Sequence, residues 1–413
     1  MLSKQGRGQG VKTLRWICVL IACQHSVSGL QTLAAPTVPT TTEIRKLFHP
    51  AGLGNAVFGL EAALSSKYAG VLGIRTSTSS PNIYDAVIYD ADTGQHLWTL
   101  SQPVPVDNVN FRFASLAIDG DLAVVGATYA HVPLQGGGVA YNAGAAFVYD
   151  LTTGQLKYKL VSDTPQLNSL LGSSVDILGN RIAVGGWGTA YVFDATTGAQ
   201  LAKLNPSDPS SQFGISVALS ESSVVVGANS DDSRGSYTGA AFTFDLATFA
   251  ERSKFIPANA VAYDNFGFKT AVDGDHAISI GRGGAYLFDV NTGLQLAELD
   301  FPESSSPLNY SVDMSGTTAL LGDPAMRRAT LFDWTTGEAL QHLRPSSPSV
   351  PSDFGVSIGM AGGEAIVSAG GRAYQFQLVP EPASAALFFA GLVVIAVGRS
   401  TRTSRRRSSD KAK

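Results

Sequence analysis

Apolar and polar positions alternate with a period of two through most of the chain, in short runs broken by Gly, Asp, Ser and Thr-Gly turns; this predicts short antiparallel strands. One pattern recurs: apolar alternation, an aromatic residue, Asp, two residues, Thr-Gly, then a leucine-bearing strand. Its copies read IYDADTGQHLWTL, VYDLTTGQLKYKL, VFDATTGAQLAKL, TFDLATFAERSKF, LFDVNTGLQLAEL and LFDWTTGEALQHL. They place Asp90, Asp150, Asp194, Asp245, Asp289 and Asp333 in register, with Gln377 at the seventh place, mostly about 44 residues apart. Upstream of these motifs lies a second segment, as in FGISVALSESSVVVGA, FRFASLAIDGDLAVVGA and FGVSIGMAGGEAIVSAG. It supplies two strands and the Asp-Thr-Gly unit two more, so each repeat is a four-stranded antiparallel meander.

Such a meander cannot bury both faces alone, so its neighbours must stack on it. For about 44 residues and four strands per unit the natural closed solution is a seven-bladed β-propeller, with an open solenoid as the alternative. The chain ends favour closure. The seventh repeat stops after residues 374–378 without a fourth strand, while residues 43–50 (EIRKLFHP) look like an orphan fourth strand. The expectation is an all-β wheel over residues 43–378, closed by the N-terminal strand, with Ile44 pairing near Tyr374. Closure in that way hides two strand edges without a disulfide.

The paired segments resemble FG-GAP repeats, which also build the propeller heads of integrin α-subunits. Phe213-Gly214 with Gly227-Ala228 carries the resemblance, and Phe354-Gly355 matches in part. Leu171-Gly172 in the third repeat and Asn309-Tyr310 in the sixth depart from the pattern, which weakens the transfer of any ligand site but not of the fold.

The ends have a different character. Lys4, Arg7, Lys12 and Arg15 precede an apolar run over residues 16–22 and then small residues, as in a secretory signal over residues 1–28 with cleavage near Ser28. Leu20-Ile21-Ala22-Cys23 also resembles a lipobox. Residues 29–42 read as a linker. At the other end, residues 379–413 hold Pro380-Glu381-Pro382, an uncharged stretch over 383–398, and a basic cluster over 399–413 that includes Arg405, Arg406 and Arg407. A helix of that apolar length is marginal for a hydrocarbon core of about 30 Å. By the positive-inside tendency, the arginines would stay cytoplasmic and the body would lie outside. The order of the three parts resembles the PEP-CTERM sorting signal. The resemblance implies an exosortase-type processing enzyme as partner, with Pro380, Glu381 and Pro382 as its recognition motif and the membrane as a transient or permanent anchor.

Composition then narrows the chemistry. With both ends basic, the acidic excess lies in the body, which disfavours nucleic acid as a partner. The two cysteines, Cys18 and Cys23, fall in the leader, so the exported body has no thiolate nucleophile, and no two of the six histidines stand at metal-ligand spacing. The repeated aspartates suit turn capping, each accepting backbone N–H groups before a Gly of positive φ. The nearest calcium candidate, Asn229-Ser230-Asp231-Asp232, lacks the spacing of a calcium loop, and no cofactor is expected. Trp98 alone matches the Trp of quinoprotein blades.

Loop length is the functional signal. The connection between second and third strands is short near Trp187 and over residues 281–284, but long over residues 128–144 and 229–239. In a propeller these loops share one face, where insertions mark binding surfaces. They carry Arg75, Arg234, Arg282, Arg327, Arg328 and Arg372 together with Tyr129, Tyr141, Trp187 and Tyr237. Such a set suits an anionic, ring-containing ligand such as an acidic polysaccharide. The sequence reading is an exported, non-catalytic binding, adhesion or scaffold protein of the cell surface or polysaccharide matrix, with a surface protein as another partner class. A secreted propeller enzyme, a glycan lyase or oxidoreductase, is the alternative.

Overall fold

The computed structural model describes residues 38–50, 56–75, 82–101, 112–208, 212–299, 310–347 and 350–379. The expected signal segment, the Pro380-Glu381-Pro382 motif, the apolar span and Arg405, Arg406 and Arg407 lie outside the described residues. The propeller strands lie between Thr40 and Gln377. Among the described residues there is no helix, and so none long and apolar enough to cross a membrane.

Seven blade sheets follow one another along the chain, six of four strands and one, in blade six, of five; the first six run in meander order from an inner to an outer strand. Blade four is representative, with strands at Phe213–Leu219, Ser223–Ala228, Ala240–Asp245 and Glu251–Phe255. The second and third strands of each blade are buried almost throughout, because both their faces pack against neighbouring blades. Outer strands alternate, as residues 200–204 do, and show polar side chains to solvent.

The seventh sheet is completed by the N-terminal segment. Arg45, Lys46 and Leu47 pair with Gln375, Tyr374 and Ala373, and the Ile44 N–H donates to the Gln375 carbonyl at 2.8 Å. The linker assignment over residues 29–42 runs too far, because Thr40–Thr41 pairs in parallel with His342 and Leu343 on the outer strand of blade six. Two polar residues carry no periodicity, so this second latch had no signature. Together the two strands clamp blades six and seven across their junction.

The Phe-Gly and Val-Gly-Ala signatures turn out to be two halves of one joint between blades. Gly172, Gly214, Gly267 and Gly355 hold φ of 90°, 96°, 88° and 98°, which aims their carbonyls into the preceding blade. There Gly126, Gly185, Gly227 and Gly322 leave room for the oxygen; a Cβ on any of them would overlap it. At three joints an inner-strand serine adds a bond: Ser115, Ser216 and Ser311 donate to the carbonyls of Gly172, Gly267 and Gly355 at 2.9 Å each. The preceding Phe213, Phe266 or Phe354 is fully buried.

Candidate functional site

Each Asp-x-x-Thr-Gly segment closes the hairpin between third and outer strands. Asp289 Oδ1, for example, accepts from the N–H groups of Asn291 and Thr292 at 3.1 and 2.8 Å and from the Thr292 hydroxyl at 2.8 Å. The following Gly N–H then donates to the Asp carbonyl, as from Gly198 to Asp194 at 2.8 Å. Hydroxyl and N–H donors therefore hold Asp90, Asp150, Asp194 and Asp289 below the usual carboxylate range; at Asp245 the Arg252 guanidinium is the largest cause. In the fourth repeat Phe249 replaces the glycine and keeps φ at 58°. Trp98 belongs to the same packing, since its Nε1 donates to the Leu151 carbonyl of blade two at 2.8 Å.

The loops between second and third strands share one face with the connections between blades. Three of the six arginines expected there are engaged by the protein itself, and a fourth, Arg328, lies beside an acidic neighbour. Arg75 forks onto buried Asp85, Nε to Oδ2 at 2.5 Å and Nη2 to Oδ1 at 3.2 Å. Arg234 Nη1 donates to the Pro257 carbonyl at 3.2 Å, Arg328 is in register opposite buried Asp323, and Arg372 lies 5.3 Å over the Phe48 ring. Arg282 and Arg327 have exposed side chains, and Arg327 has φ of 52°. Tyr129 receives Arg112 over its ring at 5.0 Å, while Trp187 is 51% exposed. At the calcium candidate, Asp231 Oδ1 accepts from the Ser233 N–H and Oδ2 from Lys254 Nζ at 2.9 Å. An ammonium group stands where a cation would, and among the described residues no three acidic or histidine side chains are grouped to hold a metal.

The two long loops have one architecture. Asn168, Leu170 and Leu171 donate to the carbonyls of Tyr141, Asn142 and Ala143; Tyr263, Asn265 and Phe266 donate to those of Ser236, Tyr237 and Thr238. These bonds stitch each loop to the connection entering the next blade. They also hold Asn142, Asn168 and Leu170, and likewise Tyr237, Tyr263 and Asn265, in the left-handed region, with φ between 47° and 69°. Trp187 and Arg282 occupy matching places, their N–H groups donating to Ser169 and Asp264 at 2.6 and 2.5 Å. Tyr263 was not singled out from the sequence because the connections between blades carry no repeat motif.

A channel of about 920 Å³ runs down the axis, lined by the inner strands of all seven blades. Its carboxylates were missed too, although Ser-Val-Asp recurs at residues 174–176 and 311–313. They close exposed strand edges: Asp176 accepts from the Leu219 N–H and Asp313 from the Met360 N–H, each at 2.6 Å and each in the next blade. Burial pushes Asp176 up to about 7, reinforced by the charges of Asp313 and Asp119, and Asp313 up to about 6. Lys269 of blade five reaches within 4.0 Å of Glu61 of blade one.

Residues 198–244 match the FG-GAP repeat family. The matched stretch begins at the turn before the outer strand of blade three and ends in the third strand of blade four. The FG-GAP repeat is therefore out of phase with the blade by one strand, the same offset that leaves blade seven to be completed by residues 45–47. No curated protein matches the chain. A chain from the crystal structure of a mitotic checkpoint complex aligns over 86% of this chain and 100% of its own, with a TM-score of 0.55 and 14% identity. That likeness shows the propeller fold alone.

Proposed function

We propose that this is an exported, non-catalytic propeller that binds glycan at the cell surface or in the surrounding matrix through its loop-bearing face, and that a PEP-CTERM tail delivers it there. The observation that carries the reading is the stitching of the two long loops. Backbone bonds fix them before any ligand arrives, and they and the neighbouring short loop present Tyr141, Tyr237 and Trp187 to solvent. A rigid aromatic surface loses little conformational freedom on binding. Two buried carboxylates of that face are committed to cationic partners, Asp85 to Arg75 and Asp231 to Lys254. Export rests on the two chain ends. The last described residue, Val379, is tied to the rim by a bond from its N–H to Gln341 Oε1 at 2.9 Å, so the wheel is complete before the sorting motif begins.

The test is a glycan array probed with the full-length protein and with Trp187→Ala and Tyr141→Ala variants, alongside mass spectrometry of the C-terminus after surface delivery. Binding that weakens at least tenfold in the variants supports the reading. Turnover of a bound polysaccharide, or glycan binding indifferent to both substitutions, overturns it, and an intact Lys413 at the surface overturns processing.

A further inference from the structure

Tyr237 and Tyr263 lie against each other at the junction of blades four and five, ring centroids 5.9 Å apart and planes 13° from parallel, 48% and 58% exposed. Both have left-handed backbones, φ 55° and 69°, where a bulky side chain is an outlier. At the junction of blades two and three the same two places are filled by Asn142 and Asn168, φ 55° and 59°, with Asn142 Nδ2 donating to Asn168 Oδ1 at 3.0 Å. Asparagine is the residue that tolerates this backbone, so the fold's own demand is already met by the Asn pair. Two tyrosines in its place put strain into the loops and leave a stacked pair of rings about half exposed to water, and a strained backbone that holds an exposed aromatic pair the fold does not need points to a ligand.

The surroundings identify its chemistry. Charges on the segments that carry the pair balance: Asp232 and Arg234 lie in the loop of Tyr237, and Asp264, next to Tyr263, accepts the Arg282 N–H at its backbone carbonyl. Asp232 Oδ1 accepts from the Tyr237 N–H at 2.7 Å and Asp264 Oδ2 from the Val261 N–H at 2.6 Å, while Arg234 is held by the Pro257 carbonyl. A polyanion meets two carboxylates here as well as two guanidinium groups. A sugar ring meets what it needs: its C–H face lies on the aromatic surface, and its hydroxyls, donors and acceptors both, find exposed groups of either kind on the same loops, Arg282 as donor and Asp232 as acceptor. We infer that the junction of blades four and five is a carbohydrate subsite for a neutral hexopyranose, with Tyr237 and Tyr263 as the stacking platform. This rests on the reading of the loop face as a glycan-binding surface and changes its ligand from acidic to neutral.

The full-length protein is run through native gels cast with dextran, galactomannan, laminarin or alginate. Wild type should be retarded by at least one of the three neutral polymers. The Tyr237→Asn/Tyr263→Asn double variant recreates the pair found at residues 142 and 168, so it should melt within a few degrees of wild type yet bind at least tenfold more weakly. Equal retardation of the two proteins overturns the subsite. Retardation by alginate alone, lost in Trp187→Ala but kept in the double variant, overturns it while leaving the loop-face reading standing. No retardation by any of the four sinks both. A wild-type dimer that the double variant abolishes, with no polymer bound, assigns the tyrosines to self-association and also overturns the proposal.

Discussion

Gln341, almost wholly buried on the outer strand of blade six, donates its side-chain amide to the Gln377 carbonyl at 2.9 Å and to the Thr41 hydroxyl at 2.7 Å. Its Oε1 accepts from Val379. One side chain thus ties the entering and leaving segments to the same rim. Gln341→Leu leaves these partners unmatched and should cost about 2–3 kcal/mol, read as a lower denaturant midpoint at unchanged slope. Limited proteolysis should cut first near residues 38–47; a variant as resistant as wild type would show that the pairing of residues 45–47 closes the ring alone.

The glycine joint makes a sharper demand. A methyl group on Gly227 would overlap the Gly267 carbonyl, whose oxygen and carbon are backbone and cannot rotate away, as well as the Ser216 hydroxyl bonded to it. Gly227→Ala must therefore move blade five against blade four, at a cost of about 3 kcal/mol, the upper range for overpacking. Gly120→Ala is the control: no other atom lies near its Cβ position, and φ of 53° alone makes it the milder change. Similar melting temperatures for the two variants would argue against a rigid joint.

Asp333 separates acceptor from charge at the hairpin turn. Its Oδ1 accepts from the Thr335 N–H at 2.8 Å and the Thr335 hydroxyl at 2.6 Å, in a buried setting. Asp333→Ala strands both donors and should cost about 1–3 kcal/mol. Asp333→Asn keeps an oxygen there and should lose less than half of that in a thermal melt. Equal losses would mean that charge, not the hydrogen bonds, holds the turn.

What the sequence disclosed follows from where repetition occurs. The Asp-Thr-Gly turns and Phe-Gly joints recur because every blade needs the same hairpin and the same neighbour contact, so their spacing exposes the blade number, the meander and the missing outer strand. Features met once leave no such trace. Thr40 and Thr41 join a strand edge by backbone pairing and one hydroxyl, that of Thr41, which accepts from Gln341. The pairing of Arg75 with Asp85, ten residues apart across a hairpin, decides whether that arginine is available, yet composition counts it as free positive charge. Tyr263 becomes visible only when the backbone shows that it and Asn168 share a position.

The channel carboxylates give the fold an unusual pH response. Burial raises Asp176 to about 7 and Asp313 to about 6, above the value near 4 of an unfolded aspartate. The folded state binds protons more tightly over that interval, so this contribution to stability is complete below about pH 4 and is lost as pH rises through 6 to 7. The turn aspartates act oppositely: they are held low, and their contribution is lost as pH falls below about 4. Burial also holds His49 and His342 low, so their contribution falls away as pH drops below about 6.5. Because these effects overlap in the wild type, the Asp176→Asn/Asp313→Asn double variant isolates the channel. Each substitution removes one acceptor from a backbone N–H at every pH, a constant offset, whereas the charge term depends on pH. Melting temperatures compared from pH 4.5 to 8 should move in the variant's favour as pH rises, by several degrees and mostly between 6 and 8. A difference that stays flat over that range would mean that both carboxylates ionise as they do in the unfolded chain, with the channel water shielding them despite the walls of the seven inner strands.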